Sequence, residues 1–175
     1  MLSLQMVKRD LVADRFSLTI NYDVQSLHQG RGYHGATVTD FYGREVPHPA
    51  HDAFSLPLPT ASPRELTSHF LASFQGKVNP DLLIRQVTVT AKNLVQQAVA
   101  AQMTHSEQLD LFTNPHQHVA QAVAKQEQRQ RDQQVQKMIL RLQDQFGKNS
   151  IIRAADLKDG AVARKRNKEI GGHQA

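Results

Sequence analysis

The chain contains no cysteine, so it forms neither a disulfide nor a thiolate zinc site, and it suits a reducing compartment. It has no apolar run near the roughly 20 residues that a membrane-spanning helix requires. Its N-terminus lacks the basic-then-apolar layout of a secretory signal. These absences predict a cytoplasmic protein that makes no membrane contact. Hydrophobic residues make up 39% of the 175 residues, little for a fully packed globule of this length, so part of the chain is expected to be extended. Positive charge is in surplus. The formal net charge of +5 and a pI near 9.7 favour polyanions, with nucleic acid the first candidate.

Residues 1–10 carry Leu2, Leu4, Met6 and Val7 at mixed spacing and lead into Leu11-Val12-Ala13-Asp14. This reads as the end of a helix whose beginning is missing, with a short N-terminal helix as the alternative. From Phe16 the pattern alternates: Phe16, Leu18, Ile20 and Tyr22 against Ser17, Thr19 and Asn21, as a half-buried strand requires. A loop rich in glycine and histidine follows. Its aromatics Tyr33, Phe41 and Tyr42 lie against either the domain or a ligand, and Val46-Pro47-His48-Pro49 is extended by proline geometry. Phe54, Leu56 and Leu58 predict a second strand, which Pro57 and Pro59 assign to an edge or a strand end. Ser62-Pro63-Arg64-Glu65 opens a helix as a capping box, with Leu66, Phe70, Leu71 and Phe74 on one face and Gly76 at its end. The third strand, Leu82 to Ala91, points Val87, Val89 and Ala91 inward and Gln86, Thr88, Thr90 and Lys92 outward. Strands with helices on one face predict an α+β sandwich whose uncovered face is polar.

Beyond residue 95 the composition changes. Residues 96–115 form a linker that contains Gln108-Leu109-Asp110-Leu111-Phe112, and residues 116–175 form a polar helix and a basic tail. The pentapeptide has no core of its own. Its apolar residues either pack on the domain as an edge strand or helix start, or enter a pocket on a partner. The helix is expected over about His116 to Phe146, ended by Gly147, with Val135, Met138, Ile139, Leu142 and Phe146 on a stripe that packs against Ile151, Ile152 and Leu157. A coiled-coil dimer is the less favoured reading, because the apolar heptads are not sustained.

Several of these segments together resemble one family. Gln108, Leu109, Asp110, Leu111 and Phe112 are similar to the bacterial β sliding-clamp-binding motif, in which Leu111 and Phe112 would be the anchors. The order of elements through residue 95 is similar to the little-finger domain of Y-family translesion DNA polymerases. Asp40-Phe41-Tyr42-Gly43-Arg44-Glu45-Val46-Pro47 with Ala50-His51 resembles a loop of the UmuC-like branch found in Gram-positive bacteria. Arg164-Lys165-Arg166-Asn167 with Ile170-Gly171-Gly172-His173 resembles that branch's closing signature.

The resemblance implies an N-terminally incomplete little finger, lacking its first strand, over residues 1–95. It implies contact with primer-template DNA through Arg15, Arg85, Thr88, Thr90 and Lys92, and a partner or DNA contact through Arg164, Lys165, Arg166, Gly171, Gly172 and His173. The family polymerises DNA with Mg²⁺ held by palm carboxylates. No palm is visible here, and the acids Asp10, Asp14, Asp23 and Asp52 are scattered, so the chain is expected to be a fragment or a truncated gene product, inactive alone and without catalytic residues, metal or cofactor of its own. His48 with His51 and His116 with His118 lack a third ligand at a recognisable spacing, so surface histidines are expected. The remaining alternatives are a stand-alone clamp-binding regulator and a basic helical assembly protein.

Overall fold

The alternation read at Phe16 to Tyr22 places Phe16, Leu18, Ile20 and Tyr22 on the covered face of strand β1 (Leu11–Tyr22), where all four side chains are buried. The structure, a computed structural model, describes residues 2–28, 33–102, 115–170 and 173–174. It is α+β. Strand β1 is the centre of a three-stranded antiparallel sheet of order β4-β1-β5, with β4 spanning Ala50–Thr60 and β5 Ile84–Gln96. Two helices lie in sequence around it, α1 (Leu2–Lys8) and α2 (Pro63–Lys77). A further two-stranded sheet, β2 (Thr37–Thr39) with β3 (Glu45–Pro47), occupies the segment expected to be loop.

The expected helical character of Leu11 to Asp14 is overturned. Asp10 adopts φ 55, a left-handed conformation that ends α1, and Leu11, Val12 and Ala13 pair with Gln96, Val95 and Leu94. The edge position expected of the proline-bearing strand is what the sheet shows, since β4 pairs only with β1 among the described residues. The register jumps from Ala13↔Thr60 to Arg15↔Ser55, so Pro57 and Pro59 lie in the stretch of β4 without β1 partners, where their missing N–H groups break no ladder.

The core is built on an aromatic trio. Phe16 stacks on Phe54 at 5.6 Å between ring centroids, and Phe70 meets both edge-on at 5.9 and 5.1 Å. Such pairs add about 0.5–1.5 kcal/mol beyond their area burial. Met6, Ala13, Leu56 and Leu66 complete this cluster, and Phe70 also touches the second, which holds Leu18, Ile20 and Tyr22. Ser62 caps α2 by accepting from the Glu65 N–H at 3.4 Å, as its sequence predicts, whereas the Ser62 N–H, which a closed capping box gives to Glu65, donates to Thr60 Oγ1 at 3.0 Å. The helix continues one residue past Gly76 to Lys77, and its Leu71 is exposed rather than packed. Val87 and Val89 do face α2, but 45% and 39% of their surfaces stay exposed because the helix covers mainly β1 and β4. A groove of about 360 Å³ therefore runs between Leu71, Phe74, Val87 and Val89.

The described elements continue with the short helix α3 (Gln97–Gln102) and the long helix α4 (Pro115–Phe146), which Gly147 ends at φ 90. The face of α4 that meets the domain is polar, and it is not the apolar stripe expected to pack against the tail. Arg129 donates to Glu65 at 3.1 Å, Asp132 accepts from Ser62 Oγ at 2.5 Å, and the amides of Gln133 and Gln97 bond to each other. Gln136 is the buried residue of this face, whereas Val135, Met138 and Phe146 are exposed. Polar pairing across sequence-distant positions thus selects the face, and it does so at i, i+3, i+4 and i+7 as helical geometry requires. Of the segments expected to cover the helix end, Ile151 and Ile152 are half-buried and Leu157 is exposed. Polar contacts hold that turn: Gln143 Nε2 donates to the Ile151 carbonyl at 3.3 Å, and Ser150 Oγ to the Leu142 carbonyl at 3.3 Å.

Candidate nucleic-acid interface

The outward face of the sheet follows from register. Arg15, Ser17, Thr19 and Asn21 of β1 lie opposite Lys92, Thr90, Thr88 and Gln86 of β5, while Ser55, Ala53 and His51 of β4 flank Arg15, Ser17 and Thr19. Cα partners in antiparallel strands share a face, so these side chains form one polar surface of small hydroxyl residues with cations at one end. Thr19 Oγ1 and His51 Nδ1 are 3.1 Å apart within it. Arg15 sits directly across from Lys92, a like-charge pair that strand pairing disfavours. Among the described residues neither cation has an acidic partner within ion-pair distance. A bound anion would relieve the repulsion, and hydroxyl groups beside it would donate to phosphate oxygens.

Four of the five residues expected to contact DNA, Arg15, Thr88, Thr90 and Lys92, are brought together on this face. Arg85 lies elsewhere, near the start of β5 where the register shifts, with its guanidinium 3.8 Å from Asp40. Thr19 and His51 also belong to the surface, and Ser17 shares the same face but is buried at 5% exposure; none of the three is among the residues the sequence marks for DNA contact. The outward half of the alternation at Ser17 and Thr19 already carried that signal, whereas the approach of His51 depends on pairing between distant strands.

Asp40 organises the tip of the β2–β3 hairpin. Its carbonyl accepts from Gly43 N–H at 3.0 Å, Gly43 is left-handed at φ 77, and Asp40 N–H donates to the Arg44 carbonyl at 2.8 Å. This is a three-residue hairpin loop in which glycine takes the left-handed position. The carboxylate accepts from Tyr42 N–H at 2.9 Å, from Arg44 N–H at 3.0 Å, and from Arg44 Nη2 at 2.6 Å. The Arg44 guanidinium, then the Arg44 and Tyr42 amides, hold this carboxyl below the usual carboxylate range, and the Arg44 guanidinium is shifted upward by the same bond. Because the folded value is depressed, the order this contact confers is complete above about pH 4. It is lost as pH falls through the lowered folded value. Amide exchange at Tyr42 and Arg44 is therefore expected to accelerate in Asp40→Asn relative to the parent at neutral pH, and the difference to shrink in acid. Equal protection at neutral pH in both proteins would show that the carboxylate does not order the tip.

The other candidate groups are dispersed. Arg164, Lys165 and Arg166 lie exposed in the short helix α5 (Ala163–Arg166), which is anchored where Asn149 Nδ2 donates to the Arg164 carbonyl at 3.3 Å and Asn167 Nδ2 to Asn149 Oδ1 at 2.8 Å. His173 lies in the terminal strand pair β6 (Glu169–Ile170) and β7 (His173–Gln174), while Gly171 and Gly172 lie outside the described residues. The pentapeptide Gln108, Leu109, Asp110, Leu111 and Phe112 also lies outside them. Asp14 accepts from Asn93 Nδ2 at 2.8 Å, Asp23 caps the 3₁₀ turn Val24–Leu27, and Asp52 accepts from Ser73 Oγ at 2.7 Å, so these acids serve separate elements. Among the described residues no three His, Asp or Glu side chains converge as a metal site. No helix among them is long and apolar enough to cross a membrane. No family model matches the chain, and neither a curated protein nor a solved structure matches it.

Proposed function

We propose that this chain is the non-catalytic, DNA-binding and clamp-tethering part of an error-prone Y-family translesion DNA polymerase, acting in SOS damage tolerance. The observation that carries the reading is the open polar sheet face with Arg15 set opposite Lys92. Such a face holds phosphates through its cations and hydroxyl donors without reading bases, which suits a protein that must follow any template. A little finger does this work in the family that the chain resembles. The order α1, β1, β4, α2, β5 of the main sheet and its helices, with the β2–β3 hairpin inserted between β1 and β4, supports the comparison with that domain.

The tether would be Gln108 to Phe112, with Leu111 and Phe112 filling a pocket on the β sliding clamp. Burial of two such side chains contributes roughly 1.5–3 kcal/mol each before ordering costs, a weak contact that gains force from simultaneous weak binding to DNA. Immobilised clamp is expected to retain the parent chain and to lose at least about tenfold in affinity for Leu111→Ala/Phe112→Ala, or about 1.4 kcal/mol, which is below the summed burial energy because ordering costs offset part of it. Equal retention of both would remove the tether from this account. The DNA half is tested by competition. Unrelated duplexes of equal length should displace a labelled duplex equally well, and a marked sequence preference would contradict phosphate-led binding.

A further inference from the structure

Phe41 and Tyr42 stand out on the surface: they are 96% and 72% exposed, on a tip whose backbone is fixed by Asp40 and Gly43. Exposed aromatic rings on a mobile loop would be unremarkable, but these are carried on a hydrogen-bonded turn and meet edge to face. Their centroids are 5.5 Å apart at an interplanar angle of 85°, so they do not close on each other face to face. The Arg44 guanidinium lies 5.2 Å from the Tyr42 ring centroid, while the same Arg44 also grips Asp40. One carboxylate thus fixes the turn and the cation, and the cation in turn braces one ring.

The tip also has a definite place relative to the polar sheet face. Arg85 of β5 reaches Asp40, and the register puts Lys92 and Arg15 toward the opposite end of the same strand pair. At about 3.4 Å per residue, the path along β1 from Arg15 to Asn21 is roughly 20 Å. Asp40 is matched by two guanidinium groups, and Asp23 is close enough to raise the proton affinity of Arg44, so the tip has little net charge to draw phosphates. Uncharged π faces beside a guanidinium suit a nucleobase, and phosphates can be held by the cations at the sheet's other end.

We propose that the Asp40–Arg44 tip is a base-stacking site for single-stranded nucleic acid, with Phe41 and Tyr42 as its platforms. This rests on the reading of the sheet face as a duplex-binding surface, and it assigns the tip to an unpaired strand leaving that duplex. Stacking is tolerant of sequence because every base offers a π face. Asp40 is a positioning residue here: it sets the angle of the rings and touches no ligand.

The test compares a blunt DNA duplex with the same duplex carrying a single-stranded oligothymidine overhang, by fluorescence anisotropy on the full chain. The parent is expected to bind the overhang probe at least about fivefold more tightly, and Phe41→Ala/Tyr42→Ala to abolish that preference while keeping its affinity for the blunt duplex. The chain has no tryptophan, so Phe41→Trp adds one indole at the tip. Its emission should be quenched by oligothymidine as stacking occurs. Blunt-duplex binding without an overhang preference, an undiminished preference in the double variant, or unquenched indole emission would each overturn the stacking site and leave the rings to a protein partner. Failure to bind either probe would overturn the duplex reading and the stacking site together.

Discussion

Replacing Arg15 and Lys92 together by threonine is expected to weaken duplex DNA binding on the order of tenfold or more at low salt, and to leave the fold as stable as the parent or slightly more so. The two effects have opposite signs for one reason. Arg15 and Lys92 are direct cross-strand partners on the open face, and like charges so placed repel. Threonine suits a strand and matches neighbours Thr88 and Thr90, so its introduction relieves repulsion without loss of strand propensity, for a gain of a few tenths of a kcal/mol. Each cation that neutralises a phosphate releases counterions, and removing two should make the plot of log affinity against log salt shallower by about 2. A purely solvated pair would instead show the stability gain with no change in binding. Anisotropy titrations and thermal melts of the same two proteins separate the cases.

The second large effect is on folding. Phe16→Ala should cost about 3–5 kcal/mol, the range for a deleted buried aromatic, because the ring is 1% exposed and holds Phe54 and Phe70 together. Against a total stability of about 5–15 kcal/mol, that loss should leave a large unfolded fraction or a strongly lowered Tm by circular dichroism. Phe41→Ala removes the same side chain from a fully exposed position and should change stability by about 0.5 kcal/mol or less. A small effect of Phe16→Ala would mean that the aromatic trio does not support the sheet.

These two phenylalanines also mark how far the sequence can be read. Phe16 sits in a clean period-two pattern, and one-sided burial follows from alternation alone. Phe41 sits in a Gly-punctuated stretch without periodicity, and its direction is set by Asp40, whose bonds to Arg44 and Arg85 include one to a residue far along the chain. The Ser62-Pro63-Arg64-Glu65 cap was legible because its main contact is local, between Ser62 Oγ and the Glu65 amide. The contact of Glu65 with Arg129 was not, being a pairing across the fold. For the same reason apolar periodicity, which marks Val135 and Met138 for packing against the tail, says nothing of the face by which α4 meets the domain: Val135 and Met138 are exposed, and Arg129, Asp132 and Gln133 make the pairing. Leu11 to Ala13 read as helical because apolar residues recur at mixed spacing on both sides of Lys8-Arg9-Asp10, and the left-handed conformation of Asp10 separates α1 from β1. The residue types of the polar face were visible, but the meeting of Arg15 with Lys92 is a fact of register.

The most direct measurement is the affinity of the parent chain for a duplex of arbitrary sequence, followed across salt concentrations. A phosphate-gripping sheet face with Arg15 and Lys92 both engaged is expected to give a straight line of log affinity against log salt with a slope of about −2 or steeper. A flat line, or no measurable binding at low salt, would contradict the assignment of this face to nucleic acid.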